Sequence, residues 1–194
     1  MNDLAARVRQ GLAARADPAA APAMQAYMKS GMPFLGVAKP GRAALVRELA
    51  PLLGDTAEVE AAAGELWDAA EFREERYLAV TLARRLPPEP RRLPAYRHWV
   101  VTGAWWDLVD EIAAHLVGPA LREHPEQVGP VVRTWVDDPD RWLRRTAVIC
   151  QLHSAERTDL ALLTAAVEAN LADRDFFLRK AIGWALRQYA RTDP

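Results

Sequence analysis

Cysteine is almost missing from this sequence. Cys150 stands alone among 194 residues, so no internal disulfide can form. A single thiol fits a reducing cytosol and carries little further information. Lysine is scarce too: of the 25 Lys and Arg residues only Lys29, Lys39 and Lys180 are lysine. Long apolar runs are missing. No segment reaches the roughly 18 uninterrupted apolar residues of a membrane helix, which excludes a helical span. The first fifteen residues carry Asp3, Arg7, Arg9 and Arg15 and lack the apolar core of a secretory signal, so a cytoplasmic location is expected. His98, His115, His124 and His153 have no metal-ligand spacing, and no metal or cofactor is expected. Gly-rich phosphate loops and nucleophile elbows do not occur. Nor do Val, Ile and Thr gather into alternating runs, so strands are not indicated.

Ala, Leu, Arg and Glu dominate instead, all good helix formers. Turn residues recur at short intervals, among them Pro40-Gly41, Gly54-Asp55, Pro87-Pro88, Gly118-Pro119 and Asp138-Pro139. The segments between them have helical length. They predict helices over 3–15, 19–30, 40–53, 56–68, 70–86, 91–102, 105–117, 119–123, 126–136, 139–153, 158–171 and 174–191. Pro40 and Pro139 each suit a first helical turn, and Asp173 or Arg174 opens the last helix. Helices of this length joined by tight turns suggest an α-solenoid of stacked antiparallel pairs. No fixed-period motif is visible, so the pattern alone leaves an irregular helical bundle equally open.

The formal net charge is −1, unlike the basic balance usual for a nucleic-acid partner. The distribution is uneven. Glu48 to Glu75 holds nine acids and one base, Arg73. Arg84 to Arg97 holds five bases against Glu89, and Arg174 to Arg191 holds five against Asp175. A neutral chain with such blocks can still present one positive face.

Three stretches narrow the reading. They are Tyr27-Met28-Lys29-Ser30-Gly31-Met32-Pro33-Phe34-Leu35-Gly36-Val37, then Trp105-Trp106-Asp107-Leu108-Val109-Asp110, then Phe176 to Ala190 with its Lys180-Ala181-Ile182-Gly183-Trp184-Ala185-Leu186-Arg187 core. A fourth is Trp142-Leu143-Arg144-Arg145. In order and spacing, from about Met24 to the end, they resemble the AlkD-type DNA alkylation repair family. The resemblance implies an all-α fold, an α-solenoid of HEAT-like antiparallel helix pairs with a concave DNA-binding face. It implies one such domain over 1–194, with C-terminal helices short or truncated. It implies a monomeric DNA glycosylase that removes cationic alkylated purines, 3-methyladenine and 7-methylguanine, from duplex DNA. The family's site residues carry over to Trp106, Asp110, Arg145 and Trp184. One departure is Val37-Ala38-Lys39, where the family has a glutamine.

Spacing is compatible with that site. Trp106 and Asp110 are four apart and share a helix face. Lys180, Trp184, Arg187 and Arg191 form a helical stripe of one aromatic and three cations, suited to a phosphate backbone. Arg144, Arg145 and Lys29 complete the expected DNA contacts, with Arg145 on a phosphate. Asp110, Trp106 and Trp184 are the expected catalytic set. Spacing alone fits plainer roles equally: tryptophans in a core, an acid on a surface, arginines on a solvated face. Trp67, Trp99, Trp105, Trp135 and Trp142 are read as core, and Cys150 as a small buried apolar residue. The competing function is a non-catalytic HEAT-like scaffold that binds DNA structures or a protein.

Overall fold

The computed structural model of the chain describes residues 2–193, and these are α-helical with no strand among them. They fall into two compact units that divide between Leu86 and Pro87.

The first unit holds α1 (Asp3–Ala13), α2 (Ala21–Met28), α3 (Lys39–Glu48), a 3-10 turn (Ala50–Leu52), α4 (Thr56–Asp68) and α5 (Arg73–Ala83). Asn2 caps α1 and Asp55 caps α4, each accepting orphan backbone N–H groups. The α4–α5 hairpin packs on α1 around Leu4, Val8, Leu12, Leu66, Trp67, Leu78 and Leu82, all buried. A buried acid fixes the loop between α2 and α3. Glu74, with no exposed surface, accepts the N–H groups of Leu35, Gly36 and Val37 at 3.0, 2.9 and 3.0 Å. Three backbone donors satisfy a carboxylate that has left water. Gly36 sits there at φ +84°, and a β-carbon would come within 2.1 Å of the Asp17 carbonyl oxygen. The loop therefore needs glycine both for its backbone conformation and for the close approach.

The second unit holds a 3-10 turn (Pro90–Arg92), α6 (Leu93–Gly103), α7 (Trp106–Ile112), a π-helical turn (Ala113–Val117), α8 (Gly118–Glu123), α9 (Pro125–Arg133), α10 (Arg141–Ile149), a 3-10 turn (Ala155–Arg157), α11 (Leu160–Asn170) and α12 (Phe176–Tyr189). Helix α10 packs against both α7 and α12, while α11 packs against α9, α10 and α12. Side-by-side helix pairs of this kind are the building principle of α-solenoids.

Each sequence-based helix has a counterpart, most of them trimmed at one or both ends. The 56–68 helix is unchanged, and the starts at Lys39, Gly118 and Pro125 and the end at Gly103 lie one residue further out. Two boundaries move for a physical reason. The helix expected at Pro139 starts at Arg141, because Asp140 caps it by accepting from Trp142 and Leu143. Asp138 instead accepts the Asp140 N–H at 2.8 Å and shapes the turn. The last helix repeats the device: Asp175, not Asp173 or Arg174, caps α12, and Asp173 accepts the Asp175 N–H at 2.8 Å.

The break expected at Gly118-Pro119 is no break. Pro119 has no N–H, and its ring crowds the carbonyl four residues back in an α-helix. The chain widens into the π-helical turn, with the Gly118 N–H bonded to the Ala113 carbonyl, and continues. Gly118 also lies against α10, where an added β-carbon would stand 2.2 Å from the Cys150 carbonyl oxygen. Backbone meets backbone there, so neither side can yield by turning a side chain. Gly118→Ala is expected to destabilise the second unit by about 1–3 kcal/mol. Urea unfolding monitored by circular dichroism measures it, and an unchanged midpoint would contradict the close approach.

Candidate active site

The 35-residue spacing of Asp110 and Arg145 organises this region. The residues preceding α7, α10 and α12 are Trp105, Asp140 and Asp175, also 35 apart. Equal positions on the three helices therefore form rows. The first row is Trp106, Arg141 and Phe176. One turn further on stand Asp110, Arg145 and Lys180, at i+4 from each and so on the same helix face. One turn beyond Lys180 comes Trp184. The signal was present in the sequence as Asp-x-Asp followed by Trp-Leu-Arg-Arg at 142–145 and by Phe-Leu-Arg-Lys at 177–180. The substitutions between copies hid it, and Arg141 and Phe176 were missed with it.

The centre of the second row is an ion pair. Arg145 Nε donates to Asp110 Oδ1 at 2.7 Å and Nη2 to Oδ2 at 2.8 Å, the two-pronged fit of guanidinium to carboxylate. Arg145 Nη1 donates to the Phe177 carbonyl oxygen. One arginine on α10 thus ties the acid of α7 to the first turn of α12. The Arg145 side chain is only 6% exposed, and that of Asp110 17%. The sequence reading placed Arg145 on a DNA phosphate. Here its guanidinium is turned inward, with three of its five N–H groups engaged by Asp110 and the Phe177 carbonyl oxygen.

Burial pushes the Asp110 carboxyl above the ordinary aspartate range. The hydrogen bonds and charge of Arg145 pull the other way, while Asp107 and Glu111 add to the rise. Desolvation is the largest of these effects.

An aromatic cluster backs the pair. Trp142 lies 6.1 Å from Trp105 and 5.0 Å from Phe177, and Trp105 meets Phe177 edge-on at 5.4 Å between centroids. Such offset contacts suit the ring quadrupoles. Trp105 was expected in the core; it is half-buried and closes this cluster, whereas Trp67, Trp99, Trp135 and Trp142 are buried as expected. Cys150 is fully buried, and desolvation pushes its thiol up to about 12.

The remaining expected residues separate by exposure. Trp106 and Trp184 each keep more than a third of their surface in solvent, unusual for large indoles. Lys180, Arg187 and Arg191 on and just past α12 are exposed, and the Lys180 ammonium lies 5.6 Å from the Phe176 ring centroid. Arg144 is not open. It donates to the Asp138 and Pro139 carbonyls at 2.7 and 3.2 Å and to Asp173 at 3.1 Å, bracing the turns before α10 and α12. Lys29 belongs to the first unit, exposed in a left-handed backbone position at the end of α2. Among the described residues no group of three His, Cys, Asp or Glu side chains is arranged to hold a metal ion. No described helix is long and apolar enough to cross a membrane.

The chain matches the model of the DNA alkylation repair enzyme family over residues 8–194. Among solved structures it is similar to one described as a predicted DNA alkylation repair enzyme from Enterococcus faecalis, at 31% sequence identity and a TM-score of 0.82. That similarity covers 93% of this chain and 85% of the other. No curated protein matches it. By the extent of the family match and the identity of the structural relative, this chain belongs to the DNA alkylation repair enzyme family.

Proposed function

We propose that the protein is a monofunctional DNA glycosylase that hydrolyses the N-glycosidic bond of cationic alkylated purines, 3-methyladenine and 7-methylguanine, in duplex DNA. The observation that carries this reading is a largely desolvated carboxylate, Asp110, held by Arg145 one turn from the exposed indole of Trp106. No cofactor is invoked.

A cationic purine is already a good leaving group. The C1′–N bond breaks with its electron pair passing to the base, which neutralises the base and needs no protonation. Positive charge then grows on the deoxyribose. A fixed carboxylate stabilises that charge far better in a partly dry site than in water. Arg145 occupies two of the roughly four lone-pair directions of Asp110. The others are left for the sugar and for the attacking water, which adds its oxygen to C1′ and gives a proton to the carboxylate. Trp106 and Trp184 present electron-rich faces to the partly positive C–H groups of the sugar, an attraction related to cation–π contact. Lys180, Arg187 and Arg191 hold the phosphate backbone by charge.

The first test is release of free 7-methylguanine from alkylated duplex. Asp110→Asn keeps the shape and removes the charge, and should lower the single-turnover rate about 10²–10³-fold while binding persists. A wild-type protein that binds DNA and releases no base would instead support the scaffold reading.

The second test is pH. The carboxyl acts only when ionised, and burial raises its hold on the proton. As pH falls, charge is therefore lost earlier than from an exposed aspartate. The acid limb of the rate profile should lie above the ordinary aspartate value and vanish in Asp110→Asn. A limb at or below that value would contradict a desolvated Asp110.

A further inference from the structure

With Arg145 turned inward, the site as described has no arginine fork open to a phosphate beside Asp110. We propose that Arg141 supplies it: this guanidinium clasps the DNA backbone phosphate next to the lesion nucleotide. The proposal rests on the glycosylase reading for its DNA partner and on separate observations for its residue.

Arg141 is the first residue of α10, four before Arg145 and on the same helix face. One turn of rise, about 5.4 Å, separates the two positions along the helix. Its side chain is 47% exposed, against 6% for Arg145. It is also preorganised. The guanidinium carbon lies 5.0 Å from the Trp142 ring centroid and 5.9 Å from that of Phe177. A planar cation held against two rings loses little further freedom on gripping a phosphate.

Its one hydrogen bond among the described residues is Nη1 to Asp175 Oδ2 at 3.1 Å. Nε and Nη2 are left as the edge of the fork that a phosphate accepts from. Asp175 pairs with it through Oδ2 alone, and the other carboxylate oxygens nearby have partners of their own. Asp140 Oδ1 accepts from Trp142 and Leu143, Asp175 Oδ1 from Phe177 and Leu178, and Asp173 Oδ2 from Arg144. The flanking positions in the row favour a nucleic acid. Trp106 on α7 and Phe176 on α12 are both exposed aromatics, Phe176 at 63%. An arginine between two exposed rings, with Lys180 above Phe176, matches a sugar–phosphate chain whose apolar sugars alternate with anions.

Binding is measured on a short fluorescent duplex carrying one tetrahydrofuran abasic analogue, with single phosphates replaced in turn by neutral methylphosphonates. Arg141→Gln should lose about tenfold in affinity and flatten the plot of log K against log salt by about 0.9. Arg141→Lys should keep the slope and lose part of the affinity, since charge survives and the fork does not. In the wild type one methylphosphonate beside the analogue should weaken binding, and that same change should cost Arg141→Gln nothing further.

A wild-type salt slope in Arg141→Gln, or equal methylphosphonate losses in both proteins, overturns the assignment. Should Arg141→Gln show no cooperative thermal unfolding, the same comparison is read between wild type and Arg141→Lys, where equal losses overturn it. Base release by the wild type with an unchanged slope in Arg141→Gln sinks this proposal alone. An Arg141-dependent slope without base release sinks the glycosylase reading alone.

Discussion

A guanidinium that has left water must find its charge partner, and in the second unit Arg145 finds it in Asp110. Breaking such a pair by removing one side typically costs about 3–5 kcal/mol, because the other charge is stranded. The pair is therefore a constraint on the helices that carry it. α7 must present Asp110, α10 must present Arg145, and α12 must bring its Phe177 carbonyl to the remaining prong. Slippage of any one helix by a residue would rotate its group by about 100° and orphan the others. The pair itself is largely out of water, with the Arg145 side chain 6% and that of Asp110 17% exposed. That is the condition under which a single carboxylate carries weight for chemistry.

The register that the pair needs is set at the helix starts. Asp140 and Asp175 cap α10 and α12 in the same way, and Asp138 and Asp173 shape the turns before them in the same way. Arg144 then ties the two turns together through Asp173. Each cap is worth about 1 kcal/mol. Their larger effect is geometric, for a helix that starts at a fixed residue shows a fixed face. The exposed side chains of the first row, Trp106, Arg141 and Phe176, follow from those starts. The same placement that stabilises α10 and α12 leaves a line of rings and cations in solvent, where a polyanion with apolar sugars has use for them.

The helices were legible from composition and turn residues, and the family strings carried Trp106, Asp110, Arg145 and Trp184. What the residues could not disclose is direction. Arg144 and Arg145 are neighbours of one type, yet one braces two turns and the other holds Asp110, because they lie about 100° apart on the helix. Trp105 and Trp106 divide likewise into a half-buried ring and an exposed one. The Gly118-Pro119 step read as a break because glycine and proline usually punctuate. A π-helical turn absorbed the missing donor, and the close approach to Cys150 explains the glycine. Glu74 was counted in an acidic block and proved to be a wholly buried acceptor for three loop amides.

By itself the sequence determined the local terms: helix propensity, the approximate helix spans and the residue types of the candidate site. These depend on interactions within a few residues, and a string records those directly. Tertiary structure alone decided which arginine faces inward, which indoles stay wet and how far the Asp110 carboxyl is desolvated. Those depend on groups 32 and 35 residues apart meeting in one small volume, and the free energy of a charge depends on that volume more than on its neighbours in sequence.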